Sequence, residues 1–126
     1  MKPIDVLLVD DEARVRRGLR MLFDLEPDVR VVGEAADGVT AVQLARQLQP
    51  DVVVMDIEMA GGDGLTATFS LARERTAVVV LTIHDSERVR RMAARAGAAA
   101  FVSKHEGGAR LLEVIRSVAA PREDTP

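Results

Sequence analysis

Short runs of apolar, mostly branched residues alternate along the chain with segments in which apolar residues recur every three or four positions. A run without polar alternation predicts a strand that is covered on both faces, and the helical spacing predicts an amphipathic helix. The predicted strands are residues 4–9, 29–35, 51–56, 77–82 and 98–104.

Turn and capping residues mark the helices between these strands. The first helix carries Val15, Leu19, Leu22 and Phe23 on one face and ends before Pro27. The other helices are predicted from about residue 40 to the proline at 50, over 65–73, up to Ala96 between the caps Ser86 and Gly97, and after Gly107-Gly108. Because strands that alternate with helices are joined by crossovers, the sequence predicts an α/β fold with a doubly wound, five-stranded parallel sheet.

Composition narrows the function classes. The 126 residues have the length of one domain, and the absence of cysteine excludes a disulfide scaffold, a thiolate zinc site and a cysteine nucleophile. It also fits a cytoplasmic location. A net charge of −3 gives no general attraction to nucleic acid, so we expect no direct DNA binding by this domain. The longest uncharged apolar stretch, residues 76–83, is far shorter than the roughly 18 residues of a membrane span, and we expect no membrane anchor.

Polar side chains stand at the carboxyl ends of four predicted strands. These residues are Asp10 and Asp11, Asp56, Thr82 and Lys104. The carboxyl ends of parallel strands share one edge of the sheet, where ligands of such folds bind. We therefore expect these side chains to converge, whereas any one of them alone would be read as a solvated strand end.

The motifs around these residues resemble those of bacterial response-regulator receiver domains, over almost the whole chain. They are Val9-Asp10-Asp11-Glu12, Val54-Met55-Asp56-Ile57 followed by Asp63-Gly64, Leu81-Thr82 and Phe101-Val102-Ser103-Lys104. The resemblance implies a flavodoxin-like (βα)5 fold with strand order 2-1-3-4-5. Val32-Gly33-Glu34-Ala35 and residues 96–101 are similar to the subgroup of LuxR/NarL-type transcriptional regulators.

This resemblance implies a role for each site residue. Asp56 is expected to accept a phosphoryl group, and Thr82 and Lys104 to bind its oxygens. Asp10, Asp11 and Asp56 with Lys104, three carboxylates and one ammonium, carry a formal charge of −2, which a Mg²⁺ ion balances. Asp11, Asp56 and the backbone carbonyl of Glu58 are the implied direct ligands, with Asp10 acting through water.

Three further residues have an expected role and a plainer alternative. If Thr82 moves toward the phosphoryl group, Phe101 is implied to fill the space that it leaves, although an aromatic residue here also fits ordinary core packing. Glu58 and His84, each two residues beyond a site residue, resemble positions that tune the lifetime of the acyl phosphate by controlling water. The alternative is that both are exposed loop residues without a kinetic role.

The chain departs from the family pattern at two places. His105 stands where proline often follows the lysine, which puts a cis peptide bond there in doubt. Ala60 replaces the usual proline four residues after Asp56 and precedes Gly61-Gly62. We therefore expect a looser loop between the third strand and the third helix, to be checked by its mobility with and without a phosphoryl mimic.

The preferred function is a signalling switch, not an enzyme, that receives phosphate from a sensor histidine kinase. The expected receiver domain covers residues 1–120, and residues 121–126 are a tail or the start of a linker. Its output would be transcription through a DNA-binding domain that lies outside residues 1–120. The open alternatives are a free-standing regulator, an aspartyl-phosphate hydrolase and a phosphorylation-independent scaffold. A homodimer or output-domain contact is expected through the fourth helix, fifth strand and fifth helix. The arginines of the fourth helix, Arg88, Arg90, Arg91 and Arg95, are either a solvated face or part of such an interface.

Overall fold

A computed structural model of the chain describes residues 2–61 and 63–119, so the expected tail at 121–126 lies outside the described residues. Five parallel strands form one sheet in the order β2-β1-β3-β4-β5. The strands are β1 (Ile4–Val9), β2 (Val29–Ala35), β3 (Val52–Asp56), β4 (Ala77–Thr82) and β5 (Ala100–Ser103). The predicted fold class and strand order are confirmed.

Five α-helices connect or follow the strands. They are α1 (Ala13–Asp24), α2 (Gly38–Leu48), α3 (Gly64–Ala72), α4 (Glu87–Ala96) and α5 (Gly108–Ala119). The predicted caps of α4 are confirmed, since the Ser86 hydroxyl accepts a hydrogen bond from the Val89 amide at 3.1 Å and Gly97 has a φ of 99°. Helix α2 begins two residues before the predicted start, because the Asp37 carboxylate caps it by accepting from the Thr40 amide at 2.8 Å.

The fifth strand is shorter than predicted. Strand β5 covers Ala100–Ser103 rather than residues 98–104, and Lys104–Glu106 form a 3₁₀ turn. The Ser103 hydroxyl accepts from the His105 amide at 3.2 Å, and the Glu106 carboxylate accepts from the Ser103 amide at 2.8 Å. These two hydrogen bonds favour the turn over a longer strand, so Lys104 leaves the sheet at the start of the turn. Within residues 2–61 and 63–119 every peptide bond is trans, including the one after Lys104.

The sheet separates two apolar cores. Val6 and Leu8 of β1 face the core formed with α1 and α5, while Leu7 and Val9 face the core formed with α2, α3 and α4. This alternation buries β1 on both sides, as its uninterrupted apolar sequence predicts. Among the described residues, no helix is long and apolar enough to cross a membrane.

Candidate phosphorylation and metal site

Three carboxylates meet at the carboxyl edge of the sheet. Asp10 and Asp11 follow β1, and Asp56 ends β3, which pairs directly with β1. Each offers an oxygen, and these atoms lie within 4.8 Å of one another. Asp10 is 2% and Asp56 4% exposed, whereas Asp11 is exposed. The predicted convergence of the acidic residues is therefore present, with one side of the cluster open to solvent.

Backbone amides fix one oxygen of each carboxylate. Asp10 Oδ1 accepts from the Glu12 amide and Asp56 Oδ1 from the Glu58 amide, both at 2.9 Å. Asp11 Oδ2 accepts from the Ala60 amide, also at 2.9 Å, and so ties the β1–α1 loop to the β3–α3 loop. Each aspartate keeps its second oxygen for another partner.

Lys104 and Thr82 complete the edge. The Lys104 ammonium lies 3.2 Å from Asp10 Oδ2 and 3.9 Å from Asp56 Oδ2. Thr82 ends β4, the strand next to β3, and its fully buried side chain accepts from the His84 amide at 3.0 Å. All five residues that we expected at the site therefore lie at the carboxyl ends of neighbouring strands. Each is either the last residue of its strand or follows it within two positions.

The ionised cluster is electrostatically unfavourable on its own. Burial and the negative charge of Asp10 raise the pKa of Asp56 from 3.8 to about 7, with a further contribution from Asp11 and partial relief from the Lys104 ammonium. The three carboxylates and one ammonium keep a formal charge of −2. Clustered carboxylate oxygens with an open side are the donors that Mg²⁺ and similar hard cations prefer. The residues therefore fit a divalent cation held by Asp10, Asp11 and Asp56.

Glu58 and His84 contact each other, which the sequence did not reveal. Glu58 Oε1 accepts from the Ile83 amide at 3.0 Å, and Glu58 Oε2 lies 2.7 Å from His84 Nε2. The two side chains join the loop after Asp56 to the loop after Thr82. The only signal in the sequence was their equal offset of two residues from Asp56 and Thr82.

Phe101 lies half-buried against the core on the side of α2, α3 and α4. The Arg90 guanidinium stands over its ring, 4.6 Å from the ring centre, and donates to the Asp85 carboxylate at 2.8 Å. Of the four arginines of α4, Arg90 therefore has an identified structural contact with the expected switch residue. The sequence placed Arg90 only in a run of charged residues.

The family of the chain is decided by a direct comparison. Residues 6–116 match the family model described as the response regulator receiver domain. The chain belongs to this family. The chain is 40% identical over 117 residues to the transcriptional regulatory protein LiaR of Bacillus subtilis. It is 42% identical over 120 residues to the response regulator GacA of Pseudomonas aeruginosa. These alignments cover 90% and 93% of the chain but 55% and 56% of the relatives, so the chain spans about half of their length.

Solved receiver structures have the same architecture. The signal receiver domain of the putative response regulator NarL from Mycobacterium tuberculosis superposes with a TM-score of 0.89 at 29% identity, covering 95% of this chain and 98% of that one. A LuxR-family two-component response regulator from Aurantimonas superposes with a TM-score of 0.89 at 34% identity, covering 95% and 87%. The resemblance to LuxR/NarL-type receivers is confirmed.

Proposed function

We propose that this receiver domain accepts a phosphoryl group on Asp56 from a sensor histidine kinase, in a reaction that needs Mg²⁺. The observation that carries the proposal is the placement of Asp56. It is a buried carboxylate with two further carboxylates at metal-binding distance and an ammonium 3.9 Å from its Oδ2. A carboxylate in such a setting is suited to nucleophilic attack on a phosphoryl group whose charge is neutralised from several sides.

The hydrogen bonds of Asp56 distinguish its two oxygens. Oδ1 accepts from the Glu58 amide, whereas Oδ2 faces Lys104. We therefore assign Oδ2 as the nucleophile. The Oδ2–P bond forms as the P–N bond of a phosphohistidine breaks, and the imidazole leaves with the electron pair. Bound Mg²⁺ supplies charge neutralisation of the phosphoryl oxygens, with Asp11, Asp56 and the Glu58 carbonyl as proposed ligands and Asp10 acting through water.

Lys104 and Thr82 then hold the product. The Lys104 ammonium is close enough to Asp56 to reach a phosphoryl oxygen by a small movement away from Asp10. The Thr82 hydroxyl, which accepts from the His84 amide, has a proton to donate to a second oxygen. A shift of Thr82 toward the phosphoryl group leaves space near β5, and Phe101 is proposed to move into it. The switch thus alters the surface of α4, β5 and α5.

The proposed output is transcription. The curated relatives include a transcriptional regulatory protein and are about twice as long as the matched region. We propose residues 1–120 as the receiver unit and 121–126 as the start of a linker to an output domain. The switched surface of α4, β5 and α5 would contact that domain or a second copy of the receiver. A phosphorylated receiver acting without such a domain is the alternative.

Intact-mass spectrometry tests phosphoryl transfer. The protein is incubated with Mg²⁺ and acetyl phosphate, as wild type, as Asp56→Asn and as the control Asp24→Asn, which alters an exposed carboxylate at the end of α1. We expect one added phosphoryl group on the wild type and the control, and none on Asp56→Asn or without Mg²⁺. If the acyl phosphate hydrolyses before its mass can be measured, binding of beryllofluoride, a stable phosphoryl mimic, reports on the site instead. If the wild type gains no phosphoryl group and also fails to bind the mimic, the proposal is wrong.

A further inference from the structure

Arg16 of α1 makes two contacts that bridge β2 and the acidic site. Its Nε donates to Glu34 Oε1 of β2 at 2.9 Å, and its Nη1 donates to the backbone carbonyl of Asp10. Its side chain is only 17% exposed. The guanidinium therefore sits between a neighbouring strand and the loop that carries two of the three site carboxylates.

The other polar atoms of Asp10 have partners as well. Its amide donates to the Ala35 carbonyl at 3.1 Å, its Oδ1 accepts from the Glu12 amide, and its Oδ2 faces Lys104. Asp10 follows the last residue of β1, so its carbonyl lies beyond the strand ladder. Arg16 provides a donor to this carbonyl, which a buried carbonyl group requires. The orientation of the Asp10 backbone, and with it the carboxylate, is thus fixed at both ends of the residue.

We propose that Arg16 is a positioning residue for the divalent-cation site, acting through the Asp10 carbonyl. This inference rests on the proposed function, because it concerns the affinity of the same site for Mg²⁺. Arginine suits the role, since its planar group presents several donors in a fixed fork, whereas the ammonium of lysine is a point charge. Residues that orient metal ligands without touching the metal contribute strongly to affinity in other proteins.

Arg20 offers a matched control within the same cluster. Its Nε donates to Glu34 Oε2 at 2.8 Å, so Glu34 is shared by the two arginines. Partial burial of Glu34 disfavours its negative charge, but the hydrogen bonds from Arg20 and Arg16 outweigh this effect and keep the pKa of Glu34 below its usual value. Arg20 thus has an ion pair like that of Arg16, but no described contact with Asp10. Comparing the two separates the effect on Asp10 from the effect of losing an ion pair with Glu34.

The experiment uses two-dimensional NMR of the wild type, Arg16→Gln, Arg16→Lys and Arg20→Gln. Without metal, hydrogen exchange of the Glu12 amide reports how firmly the Asp10 loop is held. With increasing Mg²⁺, the shifts of the amides in residues 10–12 give the dissociation constant. Urea unfolding of each variant measures global stability in parallel, so that a general loss of stability is recognised.

We expect Arg16→Gln to accelerate exchange of the Glu12 amide and to raise the Mg²⁺ dissociation constant about tenfold. Arg16→Lys should fall between it and the wild type, and Arg20→Gln should resemble the wild type in both readouts. Equal effects of Arg16→Gln and Arg20→Gln, or wild-type exchange and affinity in Arg16→Gln, would overturn the inference while leaving the proposed function intact. Failure of the wild type itself to bind Mg²⁺ would overturn both.

Discussion

The Lys104 ammonium lies 3.2 Å from Asp10 Oδ2, close enough for a charge-assisted hydrogen bond. This contact holds the lysine on the β1 side of the site, while Asp56 Oδ2 is 0.7 Å farther away, at 3.9 Å. One ammonium thus serves two buried carboxylates. The stability of the metal-free protein should depend on Lys104, and a bound cation should take over part of this role.

The first prediction concerns removal of this ammonium. Lys104→Met keeps an unbranched side chain but leaves the buried Asp10 and Asp56 without their ammonium partner. We expect a loss of about 1–3 kcal/mol in the free energy of unfolding at pH 8 without metal, because unpaired buried charges are unfavourable. Saturating Mg²⁺ should reduce the loss. Urea denaturation monitored by circular dichroism measures this loss of unfolding free energy. The control is Lys2→Met, which alters an exposed lysine. A loss that Mg²⁺ does not change would contradict the interpretation.

The second prediction concerns pH. The pKa of Asp56 is about 7 in the folded protein, against 3.8 as its ordinary value. Between these values the folded protein holds a proton that the unfolded chain has released, so stability falls as pH rises from about 4 through 7. Asp56→Asn removes this dependence. Without metal at pH 8, the variant should be more stable than the wild type by at least about 1 kcal/mol.

Thermal unfolding of the wild type and Asp56→Asn from pH 5 to pH 8 measures the difference directly. Titrating groups away from the site contribute equally to both proteins, so the difference between the two curves reports on Asp56 together with the charged groups that interact with it. Mg²⁺ at pH 8 should stabilise the wild type more than the variant. Parallel curves across this range would show that Asp56 is ionised throughout and that its pKa is not raised.

The third prediction concerns the close approach of α3 to the end of β3, where Asp56 lies. A Cβ at Gly64 would lie 2.7 Å from both the Asp56 carbonyl oxygen and the Ile57 Cα, which are backbone atoms that cannot turn aside. We expect Gly64→Ala to lower stability by about 1–3 kcal/mol and to slow phosphorylation, since the Asp56 backbone must move. Gly18→Ala is the control, because nothing lies within 4 Å of its Cβ position and alanine favours the helix. Wild-type stability in Gly64→Ala would contradict this account.

The features of the fold and the site that could be predicted from the sequence are those that depend on residues close together along the chain. The strand ends at Asp10, Asp56 and Thr82 were predictable, because an apolar run that stops at a polar residue is a local pattern. The end of β5 was predicted one residue late and its start two residues early. The 3₁₀ turn depends on the Ser103 and Glu106 side chains binding backbone amides, and such hydrogen bonds compete with the strand ladder.

The residues that surround the carboxylates, Arg16, Glu58 and His84, were not predictable in the same way. No local pattern singles out Arg16, because its partner Glu34 is 18 positions away and the Asp10 carbonyl carries no sequence signal. The contact between Glu58 and His84 joins loops 25 to 26 residues apart along the chain. Such pairs depend on the side chains chosen at two distant positions, so periodicity and local spacing do not reveal them.

The fourth prediction tests the proposed role of Glu58 and His84. Their contact joins the loop after Asp56 to the loop after Thr82, and we expect it to restrict the approach of water to a phosphoryl group on Asp56. Replacing both residues with alanine should shorten the lifetime of the acyl phosphate severalfold. The decay is followed by intact mass after removal of acetyl phosphate. Glu87→Ala, on the exposed start of α4, is the control. An unchanged decay rate in the double variant would favour two loop residues without a kinetic role.

The fifth prediction concerns Arg90 and Phe101, the proposed switch residue. The guanidinium covers the ring at 4.6 Å and is held by Asp85 in the loop between Thr82 and α4. A cation–π contact of this kind contributes about 0.5–1 kcal/mol at a partly exposed site. Arg90→Met should lose about that amount of unfolding free energy. It should also bind beryllofluoride more tightly, because inward movement of the ring no longer breaks the contact with Arg90.

Arg91 supplies the matched control, since it lies one position farther along the same helix and faces exposed Glu87 at 3.9 Å. Such a surface pair contributes little, so Arg91→Met should leave stability nearly unchanged. Urea denaturation with and without beryllofluoride and Mg²⁺ gives both stability and the free energy of mimic binding. If Arg90→Met loses stability but binds the mimic as the wild type does, Arg90 packs on Phe101 in both states. The ring would then not leave the guanidinium when the receiver is activated.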